Sequence, residues 1–415
     1  MAGLSKTEDD KDPTYGWVMV ATVFSLTALS FGGLGTVGIF LKPLVTEFGW
    51  LRADAAFGYT ALSIASAALG VVWGFVADKI GSRQLAFMAV IAMAVSMAML
   101  SQISSLWHYY LAYMIFGAFG FSALGGPLIA NVGFWFRRNP GLAMGVTAAG
   151  GALGQAIFPF IARLVITAYD WQTAYMVMAV MYLVVGLPIC FLVRESPLRL
   201  EAISKPASAR DDAQFFPVHP TIVISVICFA VIFCCICMAV PIVHVVAMVS
   251  DTGVKPDVAA SVLLVLMMAG IMGRIFSGKL ADMIGVLPTF MIASVSQAVL
   301  AMSFPHLTSL WSIYLVAAAF GVVYSGVMAS IIISVRMMVP PRMSARGMGF
   351  CTSFGMIGMG LGSFIGGYFF DQTGNYETSF TVAGIAGLFN FFILFVFYLF
   401  VRRKHHGPDA LAVPI

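Results

Sequence analysis

The residue with the most demanding chemistry in this sequence is Arg274, which stands inside the apolar stretch SVLLVLMMAGIMGRIFSGKLAD (261–282). Arginine keeps its charge at physiological pH, and a cation inside hydrocarbon costs about 2.5–3.5 kcal/mol on insertion scales. All 18 carboxylates fall in termini, loops or predicted helix ends, so no acid is expected at this depth. We interpret the missing partner as a bound carboxylate, held by paired hydrogen bonds. The alternative is that the guanidinium bonds helix carbonyls or extends to the membrane surface.

His244, in VPIVHVVAMVSD (240–251), is the only histidine predicted well inside an apolar span. An ordinary imidazole pKa of about 6.5 allows proton exchange near neutrality. One hypothesis is that His244 binds the substrate or carries a coupled proton. The other is that it packs in the core and bonds a backbone carbonyl.

Two polar side chains, Tyr324 and Ser325, lie midway along a predicted span in FGVVYSGVMAS. Adjacent residues point about 100° apart on a helix, so one of the two is expected to face a cavity. The alternative is core packing with the hydroxyl bonded to a backbone. The remaining candidate lining residues are Ser122, Phe31, Thr36, Ser353 and Phe354.

Catalytic and metal chemistry is not indicated. All six cysteines fall in apolar runs, and Cys234, Cys235 and Cys237 have no nearby histidine or carboxylate to complete a tetrahedral site. We interpret these thiols as small hydrophobic side chains. Because no nucleophile–base pair is found, an enzyme is not expected, and neither is a cofactor, a metal or a nucleic-acid partner.

The elements that must position these residues are membrane helices. The chain is 60% apolar and 10% charged, with a mean hydropathy of +0.97, so most of its surface must face lipid. A span needs about 20 apolar residues, which predicts an all-α protein of twelve transmembrane helices and no cleaved signal peptide. The predicted division is a six-helix half (1–193), a linker (194–217) and a second six-helix half (218–415).

An internal repeat supports two related halves. GFVADKIG (74–81) returns as GKLADMIG (278–285), and GLAMG (141–145) returns as ARGMG (345–349), both at an offset of 204 residues. With an even number of helices per half, the repeats are parallel, and a site between them near the midplane is expected. Glycines spaced four apart in predicted helices 5 and 11 are expected to pack closely, and we predict that they face the opposite half.

Basic residues predict the orientation. Of the 22 lysines and arginines, 17 fall on one side of the predicted spans and four on the other, which leaves Arg274 within a span. The positive-inside rule then places both termini in the cytoplasm and the protein in the cytoplasmic membrane.

The sequence GFVADKIGSR resembles the loop motif between helices 2 and 3 of the major facilitator superfamily, and GKLADMIG resembles its second copy. The resemblance implies a twelve-helix transporter that works by alternating access. It also implies a conformational latch formed by Gly74, Asp78, Gly81, Arg83 and, in the second copy, Asp282.

Within that superfamily the chain resembles the monocarboxylate transporters and the oxalate/formate antiporter group. The likeness rests on TYGWVMV (14–20), GIFLKPLVTEFGW (38–50), FGFSALGGPLIANVGFWFRRNPGLAMGV (119–146) and the Arg274 segment. It implies a protein that lies in the lipid bilayer and carries a small monocarboxylate. We expect it to be a monomer. Proton symport is the first expectation and anion exchange the second; a non-transporting sensor is a further alternative.

Three departures from the family concern coupling and charge. Animal members carry an aspartate where this chain has Gly270, and a lysine in the first helix where this chain has GGLGTVG (32–38). Both are linked to proton coupling in that branch. Oxalate exchangers carry a second cation in helix 11, which TSFGMIGMG (352–360) lacks. One buried cation favours monoanions over dicarboxylates.

Overall fold

The computed structural model describes residues 14–136, 140–196, 216 and 218–405, apart from a few side chains within them. These residues form twelve long helices, which we number α1 to α12. Their bounds are α1 Thr14–Phe48, α2 Arg52–Ile80, α3 Ser82–Leu100, α4 Leu106–Gly133, α5 Pro140–Ala168, α6 Trp171–Cys190, α7 Pro220–Asp251, α8 Pro256–Ile284, α9 Val286–Ser303, α10 Leu310–Met338, α11 Pro341–Thr373 and α12 Glu377–His405.

The all-α membrane architecture predicted from the sequence is confirmed. Eleven of the helices are long and apolar enough to cross a bilayer. The twelfth, α2, has 29 residues and packs against α4 and α11. Two helices contain a π-helical turn, at Phe116–Phe121 in α4 and at Tyr182–Gly186 in α6. Such turns widen a helix locally and are frequent at functional sites.

The helices pack as two groups, α1–α6 and α7–α12. Contacts between the groups are made mainly by three pairs, α2 with α11, α5 with α8 and α1 with α7. Because the repeat relates α2 to α8 and α5 to α11, the two larger pairs are related by the internal symmetry. The linker predicted at 194–217 falls largely outside the described residues.

Glycines let helices within each group approach closely. An ideal Cβ on Gly150 or Gly154 of α5 would lie 2.2 or 2.0 Å from a carbonyl oxygen of α1. Gly358 and Gly362 of α11 meet α7 carbonyls in the same way. The prediction that these glycines face the opposite half is therefore wrong. They bind each helix to its own group, and other positions of α5 and α11 meet the opposite half.

Substitution of Gly154 is expected to destabilise the protein strongly. Gly154→Ala places a methyl group against the backbone of Ala28, which cannot move without shifting α1, so we expect a loss of roughly 1–3 kcal/mol or more. Gly145→Ala on the same helix meets no atom within 4 Å and serves as control. Size-exclusion chromatography after heating should separate the two variants; equal stability would contradict the packing.

The loop motif and its second copy end in the same backbone turn. Gly81 separates α2 from α3 with φ +85°, and Gly285 separates α8 from α9 with φ +92°. Residues with a side chain rarely adopt this backbone conformation, so glycine is favoured at both positions. The turn lets one helix begin one residue after the other ends, and it confirms the correspondence that the sequence repeat indicated.

Candidate functional site

Arg274 lies between the two helix groups. It stands 18 residues after the start of α8, about 27 Å along the axis, and ten residues before its end, about 15 Å. Its Nη1 donates a 2.9 Å hydrogen bond to the carbonyl oxygen of Ala148 on α5. Its Nε is buried and has no partner among the described residues. The guanidinium therefore crosses from α8 to α5, where it bonds a neutral carbonyl, and its Nε–H donor is unused within the described part of the chain.

One face of α5 gathers several predicted residues near this arginine. Ala148, Gly151 and Gln155 follow one another at spacings of three and four, so they share a face. Gly151 packs against the ring of Phe31 from α1, and Gln155 Oε1 lies 3.5 Å from the hydroxyl of Tyr324 on α10. The charge of Arg274 also acts on the Tyr324 phenol. The three elements therefore line one region between the groups.

Of the adjacent pair on α10, Tyr324 faces this region and Ser325 does not. The Ser325 hydroxyl is fully buried against α8, where an ideal Cβ on Gly270 would lie 2.4 Å from its Oγ. A side chain at position 270 would therefore require Ser325 to move. Glycine at this position allows α8 and α10 to pack closely.

The other predicted lining residues lie on α1, α4 and α11. The hydroxyls of Ser122 and Thr36 bond carbonyls of their own helices, at 2.7 and 2.8 Å. The Ser353 hydroxyl crosses from α11 to the Ala67 carbonyl of α2 at 3.3 Å, and the neighbouring Phe354 is partly exposed. Ser353 therefore contributes to contact between the groups, and no contact joins it to Arg274 in the described structure.

His244 is fully buried and lies nearer the predicted external end than Arg274 does. It stands seven residues before the end of α7, about 10 Å along the axis. Its Nε2 lies 2.8 Å from the Ser363 carbonyl of α11, and its Nδ1 lies 3.3 Å from the hydroxyl of Tyr376. Both ring nitrogens are thus engaged, one by α11 and one by Tyr376, the residue before α12, and the structure does not bring His244 together with Arg274.

A cluster of charges ties the two groups together at the predicted external end, and we call it the Arg52 cluster: Lys42, Arg52, Asp251, Asp371 and Tyr376. Arg52 makes two hydrogen bonds to Asp251, at 2.5 and 3.0 Å, and a third to the Tyr376 hydroxyl at 2.8 Å. Lys42 lies 2.8 Å from the same Asp251. Asp371 accepts from the backbone N–H groups of Arg52 and Ala53, which begin α2.

Further contacts join α5 to α8 at the same end. Arg163 lies 3.3 Å from Asp257, which also accepts from the Thr167 hydroxyl at 2.6 Å. A cavity of about 420 Å³ lies beside these contacts, lined by α1, α5 and α7 and including Lys42 and Arg163. It lies at the same end of the protein as the Arg52 cluster, and Arg274 is not among the residues that line it.

Toward the predicted cytoplasmic end, several glycines of the described helices face open space. Six glycines toward this end have no atom within 4 Å of an ideal Cβ; they are Gly70, Gly125, Gly126, Gly145, Gly278 and Gly349. They belong to α2, α4, α5, α8 and α11, which include the helices of the interface. Among the described residues, the ion pairs between the groups lie at the opposite end.

The proposed latch residues are described in part. Arg83 Nε donates a 2.8 Å hydrogen bond to the Val193 carbonyl just beyond α6, and the Ser82 N–H donates to Glu195. These contacts hold the turn at Gly81 against the end of the first group. The side chains of Asp78 and Asp282, and the surroundings of Gly74, lie outside the described residues.

The described cysteines are buried thiols, and no cluster of three or more metal-binding side chains occurs in the described ranges. Cys228 and Cys351 approach to 3.5 Å between α7 and α11. Both belong to the same helix group, so their contact does not cross the interface.

Several interface residues were not predicted from the sequence. Gln155 is buried and carries the polar group that meets Tyr324, and Tyr59 of α2 is close enough to interact electrostatically with the same phenol. A buried amide in the glycine-rich segment AGGALGQAIFP was an available signal, because polar side chains in membrane helices usually have a partner. In the sequence, the charged residues of the Arg52 cluster appear only as charges at helix ends, and no local pattern indicates which of them form pairs.

Comparison with known proteins identifies the fold and the family. The profile of the Major Facilitator Superfamily matches residues 23–243 and again 225–413. Monocarboxylate transporter 13 of Rattus norvegicus is 27% identical over 388 residues, which cover 90% of this chain and 86% of that protein. The nucleoside transporter NupG is similar in structure, with a TM-score of 0.70 at 13% identity over 93% of this chain and 99% of that one.

A bacterial homologue of the lysosomal transporter Spinster, solved in an inward-facing and unoccupied conformation, has a TM-score of 0.66 at 13% identity and covers 95% of this chain and 98% of that one. At this identity the two solved structures establish the fold alone. The repeated match of the family profile, once over each set of helices, covers nearly the whole described chain. The chain therefore belongs to the Major Facilitator Superfamily, a family of membrane transporters rather than enzymes.

Proposed function

We propose that this protein carries a small organic monocarboxylate across the cytoplasmic membrane by alternating access, with Arg274 binding the carboxylate. The observation that carries the proposal is the guanidinium between α8 and α5, which has one carbonyl acceptor and a buried Nε without a partner in the described structure. A carboxylate would replace a neutral acceptor by a charged one and use the spare donors. The likeness to monocarboxylate transporter 13 supports the same substrate class.

Tyr324 and Phe31 complete the proposed site. In this proposal the Tyr324 hydroxyl bonds the carboxylate or a second polar group of the substrate, and Phe31 provides an apolar wall from α1; their contacts with α5 support both roles. Ser122, Thr36, Ser353 and Phe354 act, in this proposal, by supporting the helices around the site. Because one cation faces the site, monoanions are favoured over dicarboxylates.

The proposal includes the orientation and the conformational state. With both termini in the cytoplasm, the Arg52 cluster ties the two helix groups together at the external end, which corresponds to an inward-facing form of a monomer. The latch residues Gly74, Asp78, Gly81, Arg83 and Asp282 then lie on the cytoplasmic side, where they are proposed to stabilise the outward-open form.

Uptake into proteoliposomes tests the substrate class. Labelled monocarboxylates and dicarboxylates of matched size should be offered with and without an inward proton gradient. We expect accumulation of monocarboxylates and little of dicarboxylates. Equal uptake of both classes would contradict a single-cation site.

Symport and exchange are separated by a proton measurement. A vesicle containing pyranine and no counter-anion should acidify on addition of substrate if a proton enters with it. If the protein exchanges anions, acidification is absent and uptake requires internal carboxylate. Position 270 is a glycine and offers no acid to carry a proton, and this supports anion exchange as the second candidate mechanism.

The packing around Gly270 gives a stability prediction. Gly270→Ala is expected to destabilise the protein by roughly 1–3 kcal/mol, since its methyl group would overlap Ser325 Oγ. Ser325→Gly removes the obstructing hydroxyl, which has no partner among the described residues, so the double variant should recover part of the loss. Thermal inactivation in detergent measures both; additive losses would contradict the contact.

A further inference from the structure

The starting observation is a directed chain of hydrogen bonds from Arg52 to His244. Arg52 Nη1 donates to the Tyr376 oxygen at 2.8 Å, and a guanidinium can only donate. At the far end, the Ser363 carbonyl can only accept, so His244 Nε2 carries a hydrogen and donates to it at 2.8 Å. The Tyr376 hydroxyl is then left to donate to Nδ1 at 3.3 Å. The closed form thus holds His244 as the neutral Nε2–H tautomer.

A second proton on His244 does not suit this arrangement. With hydrogen on both ring nitrogens, Tyr376 would have to accept from His244 as well as from Arg52, and its own hydrogen would lose its acceptor. The cation nearest the ring on the interface side, Arg52, also opposes a second positive charge.

The charged groups that surround this chain come from every neighbouring helix. They are Lys42 of α1, Arg52 of α2, Asp251 of α7, Asp371 of α11, and Tyr376, the residue before α12. The carboxylates are already occupied: Asp251 by two cations and Asp371 by two backbone N–H groups. Neither is free to balance a charged imidazole while the end is closed.

Separation of the two helix groups would reverse these conditions. Tyr376, Ser363 and Asp251 belong to the same group as His244, whereas Arg52 and Lys42 belong to the other. When the external end opens, both cations leave. The Tyr376 oxygen can then accept from a protonated Nδ1, Ser363 still accepts from Nε2, and Asp251 provides an unpaired negative charge about 10 Å along α7.

We propose that His244 is a proton-binding site that fills only when the Arg52 cluster is open, so that acid on the external side drives the transporter toward its outward-open form. Linkage requires that a proton which binds one form favours that form, by up to about tenfold per pH unit for a single site. Closure expels the proton to the side from which it came. The proton at His244 is therefore an activator of the gate and is not cargo.

A distance measurement without substrate tests this independently of the proposed cargo. Spin labels on Trp107→Cys and Trp311→Cys would report the separation of the groups. The two positions are related by the repeat, at the starts of α4 and α10, and the native side chains are 80% and 83% exposed. The six native cysteines are buried, and labelled unsubstituted protein corrects for any background. Purified protein in nanodiscs is examined from pH 8 to pH 5.

We expect the long-distance population of the otherwise native protein to grow as the pH falls. His244→Gln keeps an amide that can donate to Ser363 but cannot take a proton, so its distribution should be independent of pH. His306→Gln, an exposed histidine in an external loop, should titrate as the native protein does. Tyr376→Phe retains the imidazole but removes the oxygen that receives its second proton, and its pH response should be several-fold weaker.

Two results would overturn the proposal. One is a native distribution that does not change with pH. The other is an undiminished titration in His244→Gln or in Tyr376→Phe, which would assign the pH response to the carboxylates of the Arg52 cluster. If substrate uptake fails while the titration behaves as expected, the gate proposal stands and the proposed cargo does not.

Discussion

Arg274→Ala is expected to lower monocarboxylate uptake by about 100-fold, because a pair of charge-assisted hydrogen bonds of about 3 kcal/mol is lost together with the only cation described between α5 and α8 at that depth. Arg274→Lys keeps the charge and loses the planar fork, so an intermediate loss of about tenfold is expected. Initial rates of labelled uptake in proteoliposomes measure both variants.

The matched control removes an exposed cation from the residue that precedes the same helix. Lys255→Ala, at the residue before α8, should leave uptake within about twofold of the native rate, because exposed charges contribute little. Undiminished uptake in Arg274→Ala, with protein present in the membrane at native amounts, would remove the central element of the proposed function.

Breaking the Arg52–Asp251 pair is expected to open the external end. The pair makes two hydrogen bonds with Arg52 largely buried, and charge-assisted bonds of this kind contribute about 1.5–3 kcal/mol. Asp251→Asn or Arg52→Gln should therefore raise the outward-open population about tenfold to a hundredfold. The distance between labels at positions 107 and 311 at pH 8 measures the shift.

A second ion pair at the same end provides the comparison. Arg163→Gln breaks a single contact of 3.3 Å to an Asp257 side chain that is 40% exposed, so its effect on the distance distribution should be well below tenfold. In the double variant Arg52→Gln with Asp251→Asn, the shifts should not add, because both remove the same interaction. Full additivity would argue that the two residues act separately.

Much of the helical framework could be predicted because its signals are local. Apolar length predicted the spans, and the repeated Gly81 and Gly285 turns were visible as matched octapeptides. In hydrocarbon the backbone N–H and C=O groups must bond one another, and a helix does this within a single segment. Segment length and composition are therefore nearly sufficient to predict a membrane helix. The π turns in α4 and α6 and the faces of the α5 and α11 glycines depend on which helices adjoin, which local signals do not contain.

The candidate site could be predicted only at a residue whose own transfer into the membrane has a high free-energy cost. Arg274 stands out in any apolar stretch, whereas Gln155 and Tyr59 gain meaning from Tyr324, which lies on another helix. His244 was noticed for its chemistry, yet its partners Tyr376 and Ser363 are more than a hundred residues away in sequence.

The sequence by itself determined that this chain spans a membrane as a twelve-helix transporter and that one buried cation needs an anionic partner. Those conclusions follow from transfer energies, which each segment or residue carries alone. Only the tertiary structure decided that Arg52 ties Asp251 and Tyr376 across the interface, that Ser325 packs against Gly270, and that both nitrogens of His244 are engaged. These are pairings between distant segments, and their geometry exists only once the helices have packed.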